Sequence, residues 1–293
     1  MNRTLSLAAL ATLATFGLTF GACKKTTDDS GITTDGGGTD GGGTDGGTDG
    51  GGTDGGGTDG GGTATIDFTL SGSTVDLMSH SAVAAGTCID AVNPDPAVTG
   101  GDPIIMASAK IGSDGSFSIA GVDAKPAFGI LLSIKDCTGG TAVLTTATPV
   151  LPTLYTAVDV GGEVSGLTAF SVNAAYADGI NASLAAAGYT GDIWKDGGLM
   201  GGVWDAALAP IEGATVTGAS GTVYYQDGDM ADGLYTTTGV LNASTVAAGG
   251  AIFLLPMAPI GSYSATASGH TFGTNTLGSS AGSIVFAPLI AGE

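Results

Sequence analysis

The chain has 293 residues, with 27 acidic against seven basic side chains and a net charge of −20 at pH 7. Nucleic-acid binding rests on Lys and Arg neutralising phosphates, so this balance excludes it, and the same logic disfavours anionic lipid headgroups. The acidity needs no ligand to account for it, since net charge far from zero by itself keeps a chain soluble.

Arg3 precedes an apolar run from Leu5 to Phe20, and the small pair Gly21-Ala22 stands directly before Cys23. A basic residue, an apolar segment and a small-residue cleavage site make a secretory signal peptide over residues 1–22. The run is about 16 residues, short of the ~20 that a transmembrane helix needs. Gly21-Ala22-Cys23 resembles the lipobox of bacterial lipoproteins, with Phe20 where that family usually has Leu. The resemblance implies cleavage before Cys23, acylation of the new N-terminal Cys23 with palmitate-type chains, and attachment to the membrane through them. It also implies a lipid-anchored protein of the bacterial cell envelope, at the outer membrane or the cell surface. An ordinary secreted protein with a chance cysteine is the competing reading.

Residues 23–62 carry Thr-Asp-Gly repeats, at Asp35, Asp40, Asp45, Asp49, Asp54 and Asp59, separated by glycines. Such a segment has nothing apolar to bury and much backbone entropy to lose, which predicts a disordered tether. As a Gly-rich coil it would span roughly 30 Å on average and about 100 Å at full stretch. Calcium-binding glycine and aspartate repeats need an apolar position to build a β-helix core, and this five-residue period has none.

About 230 residues follow, as short alternating segments bounded by Gly, Asp and Pro. They predict a mainly β fold of two antiparallel β-sandwich modules, residues 63–155 and 197–293, joined by a helical connector over 156–196. In the first module Ile66, Phe68 and Leu70 alternate with polar residues. Ile104 to Ile111, the turn Asp114-Gly115, and a strand with Phe117 and Ile119 on one face predict a hairpin. Phe128, Ile130, Leu132 and Ile134 are spaced to line one side of a further strand ending at Cys137. Cys88 and Cys137 are the only cysteines besides Cys23. In an exported protein the two should pair, and closing a loop of about 50 residues would add roughly 4 kcal/mol. A catalytic Cys88 is the alternative, without a nearby His or cation to lower its pKa.

Over Ser171 to Ala187 the period changes. Val172, Tyr176, Ile180 and Leu184 recur every four residues and predict one helical stripe, with Gly188 placed for a left-handed C-cap. Its expected role is to pack against a sandwich; a helix that engages a partner is the other reading.

In residues 197–293, Gly202-Val203-Trp204-Asp205 is followed by Pro210-Ile211-Glu212-Gly213-Ala214-Thr215-Val216. Gly250-Ala251-Ile252, Pro259-Ile260-Gly261-Ser262-Tyr263-Ser264-Ala265, Gly269 and Phe272 come later. These segments resemble a carboxypeptidase-regulatory-like domain, which implies a transthyretin-like β-sandwich. Ile252 departs from that family's usual aromatic, and Gly218 to Gly249 is longer and more acidic than usual. The residues agree on their own terms: Ala214 and Val216, Val223 and Tyr225, Ile252 and Leu254, and Tyr263 with Ala265 are each spaced for one buried face.

Candidate sites are sparse. Gly278-Ser279-Ser280-Ala281-Gly282 matches a nucleophile elbow, but a β-like run follows it and no His comes later, so a glycine-rich turn is expected. His80 and His270 are far apart without Cys or acidic neighbours at ligand spacing. Asp227, Asp229 and Asp232 could gather oxygens around Ca²⁺, although Thr238 stands where an EF-hand has its bidentate Glu; a solvated hairpin loop is the alternative. Calcium is the one cofactor with candidate ligands. Trp194, Trp204 and Tyr225 could stack on sugar rings if they face outward, or else belong to the core. These readings combine into a non-catalytic envelope lipoprotein, a surface-tethered structural or adhesion-like module for a glycan or protein ligand. A hydrolase or peptidase accessory acting on envelope glycans or peptides is the alternative from another class.

Overall fold

The computed structural model describes residues 67–77, 79–218, 220–227, 244–245 and 250–292. The leader, Cys23 and the Thr-Asp-Gly repeats lie outside the described residues, as do Asp229 and Asp232. The described residues belong to one compact unit and are mainly strand. Among them no helix is long and apolar enough to cross a membrane.

Seven strands build the first block: β1 (Phe68–Asp76), β2 (Cys88–Asn93), β3 (Ile104–Lys110), β4 (Ser116–Val122), β5 (Ile130–Lys135), β6 (Val143–Val150) and β7 (Glu163–Asn173). Their hydrogen bonding runs β3-β2-β5-β6-β7-β1-β4. Period-two burial explains the faces. Ile130, Leu132 and Ile134 of β5 point inward while Leu131, Ser133 and Lys135 alternate outward. Phe68, Leu70, Ile89 and Ile119 join them in one core, each burial contributing about 1.5–3 kcal/mol. Short helices α1 (Asp95–Val98) and α2 (Pro152–Tyr155) close one end. There Tyr155 stacks on Phe68 with ring centroids 6.1 Å apart, and its hydroxyl donates to Pro126 O at 2.7 Å.

Three expectations for this block change. The Asp114-Gly115 turn forms, with Gly115 at φ 80°, but β3 pairs with β2 and β4 with β1, so no hairpin ladder joins β3 to β4. The turn instead carries the chain from the β2 side of the block to the β1 side. Phe128 stands outside β5 and is 51% exposed, because the inward series begins only at Ile130. Finally, the stretch expected to be a connector holds β7, which pairs with β1 and β6 and so extends the first block to Asn173.

The helix α3 (Ala174–Ala186) starts three residues later than the periodicity suggests, because Ser171 to Asn173 remain in β7. Asn173 caps it, its Oδ1 accepting from Tyr176 N–H at 2.9 Å. Gly188, at φ 93°, ends it: Gly188 N–H donates to Ala185 O and Tyr189 N–H to Leu184 O, the paired bonds of a Schellman motif. Tyr176, Ile180 and Leu184 form the buried stripe, and Val172 joins the same core from the strand. That core also takes Leu144 from the first block and Met200, Leu254, Ile284 and Phe286 from the second. The helix is therefore packed against both. After it comes the short α4 (Ile193–Asp196).

The second block contains β8 (Gly198–Trp204), β9 (Thr215–Thr217), β10 (Tyr224–Tyr225), β11 (Ile252–Pro256), β12 (Gly261–Thr266), β13 (Asn275–Leu277), β14 (Ser283–Phe286) and β15 (Leu289–Ile290). A small sheet of order β13-β12-β9 covers a core of Leu199, Phe253, Leu255, Tyr263 and Val285. Each block thus has a core of its own, both contribute to the third core under α3, and they share a sheet. β14 lies between β8 and β6 and pairs with both in parallel, so the order β10-β11-β8-β14-β6-β5-β2-β3 is continuous. The β1–β7 and β8–β15 ladders are parallel too. The expected antiparallel pattern is therefore incomplete, because long crossovers bring β7 and β14 back beside strands laid down much earlier. Gly201 makes part of this packing possible: a Cβ there would sit 1.8 Å from Ala287 O.

Candidate functional site

A polar and aromatic cluster stands at the corner between α3, α4 and β10. Asp192 caps α4, its Oδ1 accepting from Trp194 N–H at 3.1 Å and from Asn181 Nδ2 at 2.8 Å. Asn181 returns the contact by accepting from Ile193 N–H at 2.7 Å. Asp196 Oδ2 accepts from Asp192 N–H at 2.7 Å and from the Tyr189 hydroxyl at 2.5 Å. Gly191 lets these groups meet, since a Cβ there would lie 2.1 Å from Asp196 Oδ2 and 2.4 Å from the Tyr189 oxygen. The Trp194 indole is oriented by donation from Nε1 to Asp178 Oδ1 at 2.9 Å. Tyr224, arriving on β10, meets Tyr189 edge to face with centroids 6.3 Å apart.

Electrostatics follow from these bonds. Donation by the Asn181 amide, helped by Trp194 N–H and Lys195, holds the Asp192 carboxyl below the usual range. Burial, reinforced by its bond to Asp196, pushes the Tyr189 hydroxyl well above the ordinary phenol value. Asp178, Asp192 and Asp196 each have an oxygen engaged in holding the corner. Tyr189, Trp194 and Tyr224 are half-buried. Their rings are bordered by carboxylate oxygens, a pattern suited to stacking a ring whose hydroxyls donate.

The other predicted residues lie elsewhere. Trp204 is at the far end of β8, about 20 Å along the strand from α4. Its ring lies over Gly202, and its Nε1 donates to Gly250 O at 3.1 Å. Tyr225 is a correction: it is 3% exposed and its hydroxyl accepts from Val216 N–H at 2.8 Å, so it has no face for a sugar. The pleat explains this, because Tyr225 is the inward member of the pair whose half-exposed member is Tyr224. Asp227 is half-buried; Asp229 and Asp232, its expected calcium partners, fall outside the described residues. Among the described residues no three His, Cys, Asp or Glu side chains are grouped to hold a metal.

Cys88 and Cys137 form a disulfide, with Cα atoms 5.1 Å apart. Ser280 lies exposed in the turn before β14. His270 and Asp205 line an open groove of about 440 Å³, where Asp205 Oδ1 accepts from Ala207 and Ala209 N–H groups. Tyr189 and the Asn181, Asp192 and Asp196 network were missed in the sequence. The Tyr-x-Gly-Asp-x-Trp spacing from Tyr189 to Trp194 was the available signal.

No protein family matches this chain, and no curated protein matches it either. Solved structures similar to part of it include the Bacillus anthracis TIE protein, at 12% identity and TM-score 0.23, over 78% of this chain and 35% of that one. The shaft pilin SpaA from Lactobacillus rhamnosus GG matches at 10% identity and TM-score 0.21, over 78% of this chain and 98% of the pilin. A minor pilin of Streptococcus agalactiae matches at 9% identity and TM-score 0.22, covering 76% and 95% respectively. This chain thus spans about a third of the TIE protein's length.

Proposed function

We propose that this chain is a non-catalytic module of the bacterial cell envelope, anchored by acyl chains on Cys23, with residues 24–62 as a tether. Its folded body serves as a structural or adhesion-like element for a glycan or protein ligand. The observation that carries the reading is the Cys88–Cys137 disulfide, since such bonds persist in oxidising compartments outside the cytosol. The signal-like leader and Cys23 at its end supply the rest from sequence. The half-buried rings of the aromatic corner, oriented by bonds to Asp178 and Asp196, support the ligand-binding part of this reading. The carboxypeptidase-regulatory-like reading of residues 197–293 draws support from Ala214, Tyr225, Tyr263 and Ala265 sharing one core.

Metabolic labelling with palmitate tests the anchor: the wild type should carry label and sediment with membranes, and Cys23→Ala should do neither. An unlabelled wild type would remove it. For the ligand, Trp194→Ala should weaken binding to isolated envelope polysaccharide by about tenfold, the loss of one stacking contact; unchanged binding would remove the aromatic corner. Calcium at Asp227, Asp229 and Asp232 is the metal-dependent form of the same reading. Calorimetric titration at millimolar Ca²⁺ should then give heat and a raised melting temperature, and neither would appear if the loop is merely solvated.

A further inference from the structure

The exposed large apolar side chains are not scattered. Among the described residues there are nine, and seven lie at one end of the first block. The ladders define that end: Ile104 opposes Asn93, Val92 opposes Leu131, and Ile130 opposes Val150, so β3 and β5 begin there while β2 and β6 finish. Ile104 and Ile105 are 54% and 52% exposed at the start of β3, and Leu151 is 56% exposed just after β6. Phe128 is tied to α1 through Asp95, which accepts from the Ala127 and Phe128 N–H groups at 2.7 and 3.1 Å; Val98 ends that helix. Leu154 stands on α2, beside the Tyr155 that plugs the core. Val160, 64% exposed, precedes Gly161, whose N–H donates to Asp67 O where the described chain begins.

The rim of this pole is acidic. Asp67, Asp102, Asp123 and Asp159 are exposed on the segments that meet there, and Asp95 is half-buried on α1. The cation among them, Lys125, has its ammonium turned onto the Thr156 and Val158 carbonyls. A concentrated apolar patch with a polar rim marks an interaction site. The charges select among its occupants. A second copy would bring the same carboxylates face to face in a chain already at −20, and lipid phosphates would be repelled likewise.

We propose that this pole docks a cationic amphipathic segment of a partner protein, its apolar face on Ile105, Phe128 and Leu151 and its Lys or Arg side chains against the surrounding carboxylates. The inference goes beyond the envelope reading and does not need Cys23 to be acylated, so either can fail alone.

The test uses the mature chain, residues 23–293, as Cys23→Ala so that no acyl group is present. It is titrated by fluorescence anisotropy with a synthetic peptide carrying leucine on one helical face and lysine on the other, and with a scrambled peptide of the same composition. The amphipathic peptide should bind about tenfold or more tightly than the scramble, and more weakly as salt rises. Ile105→Ser with Phe128→Ser should lose that advantage while keeping the wild-type melting temperature. Leu151→Ser with Val160→Ser is the second variant if the first unfolds. Equal binding of the two peptides, or a preference untouched by both variants, would overturn the proposal. So would co-flotation of the chain with phosphatidylcholine vesicles, which would assign the pole to a bilayer, or concentration-dependent dimerisation lost in the same variants.

Discussion

Both blocks bury large side chains, but the first carries them on long strands, whereas the second carries them partly on strands of two or three residues. Phe68, Leu70, Ile89, Ile119, Ile130, Leu132 and Ile134 are all fully buried on strands of six to nine residues. In the second block β9, β10, β13 and β15 have only two or three residues, and β8 reads Gly-Leu-Met-Gly-Gly-Val-Trp. Close approach through glycine serves both, since a Cβ on Gly72 of β1 would sit 1.9 Å from Leu167 O and one on Gly201 of β8 1.8 Å from Ala287 O; strand length favours the first block, and the second is fixed to it by β14 lying between β6 and β8. Because that sheet is continuous, strain in either block should be felt by the whole body.

Substitutions can break this contrast. Replacing Cys88 and Cys137 together by Ser should have the largest effect, roughly 4 kcal/mol in urea unfolding, from the loop of 49 residues the bridge closes. Leu132→Ala should cost about 3 kcal/mol through the cavity it leaves. Gly201→Ala should destabilise by about 2–3 kcal/mol, since the added methyl meets the Ala287 carbonyl. Gly261→Ala, with open space around the new Cβ, should stay within about 0.5 kcal/mol. Equal effects at Gly201 and Gly261, both in the second block, would show that the close approach at Gly201 carries no stability. Asn173→Ala should cost about 1 kcal/mol as a lost helix cap.

The smallest effect concerns pH. Burial pushes the Tyr155 hydroxyl up to about 12. A raised folded-state pKa means that the native state holds the proton more tightly, so the contribution is complete below about 10 and lost as pH rises towards 12. Tyr155→Phe should flatten part of the fall in melting temperature over that window. Tyr176, Tyr189, Tyr225 and Tyr263 are raised too and keep the remainder.

What was legible in the sequence was local. The inward series of β5, the helical stripe from Tyr176 to Leu184, the Gly188 cap and the pairing of Cys88 with Cys137 all follow from period, cap chemistry or cysteine count. Strand partners were not legible, because alternation specifies a face and never a neighbour. Asp114-Gly115 correctly announced a turn, yet the strands on either side took β2 and β1 as partners. Tyr225 and Tyr224 are adjacent and chemically alike, and only the pleat of β10 decides which one is buried. The aromatic corner joins Asn181 and Asp192 to Tyr224 across more than thirty residues, and the apolar pole draws on segments from Val98 to Val160. Neither constellation has a spacing that a linear reading could find.

Protease shaving of intact cells, with a C-terminal epitope on the wild type and on Cys23→Ala, tests the central claim of a folded envelope module on a cleavable tether. Cleavage between residues 24 and 62 should release the wild-type body as a folded, epitope-bearing fragment, while Cys23→Ala should leave no cell-bound material to release. Protection of the wild type until the outer membrane is opened would contradict display at the cell surface.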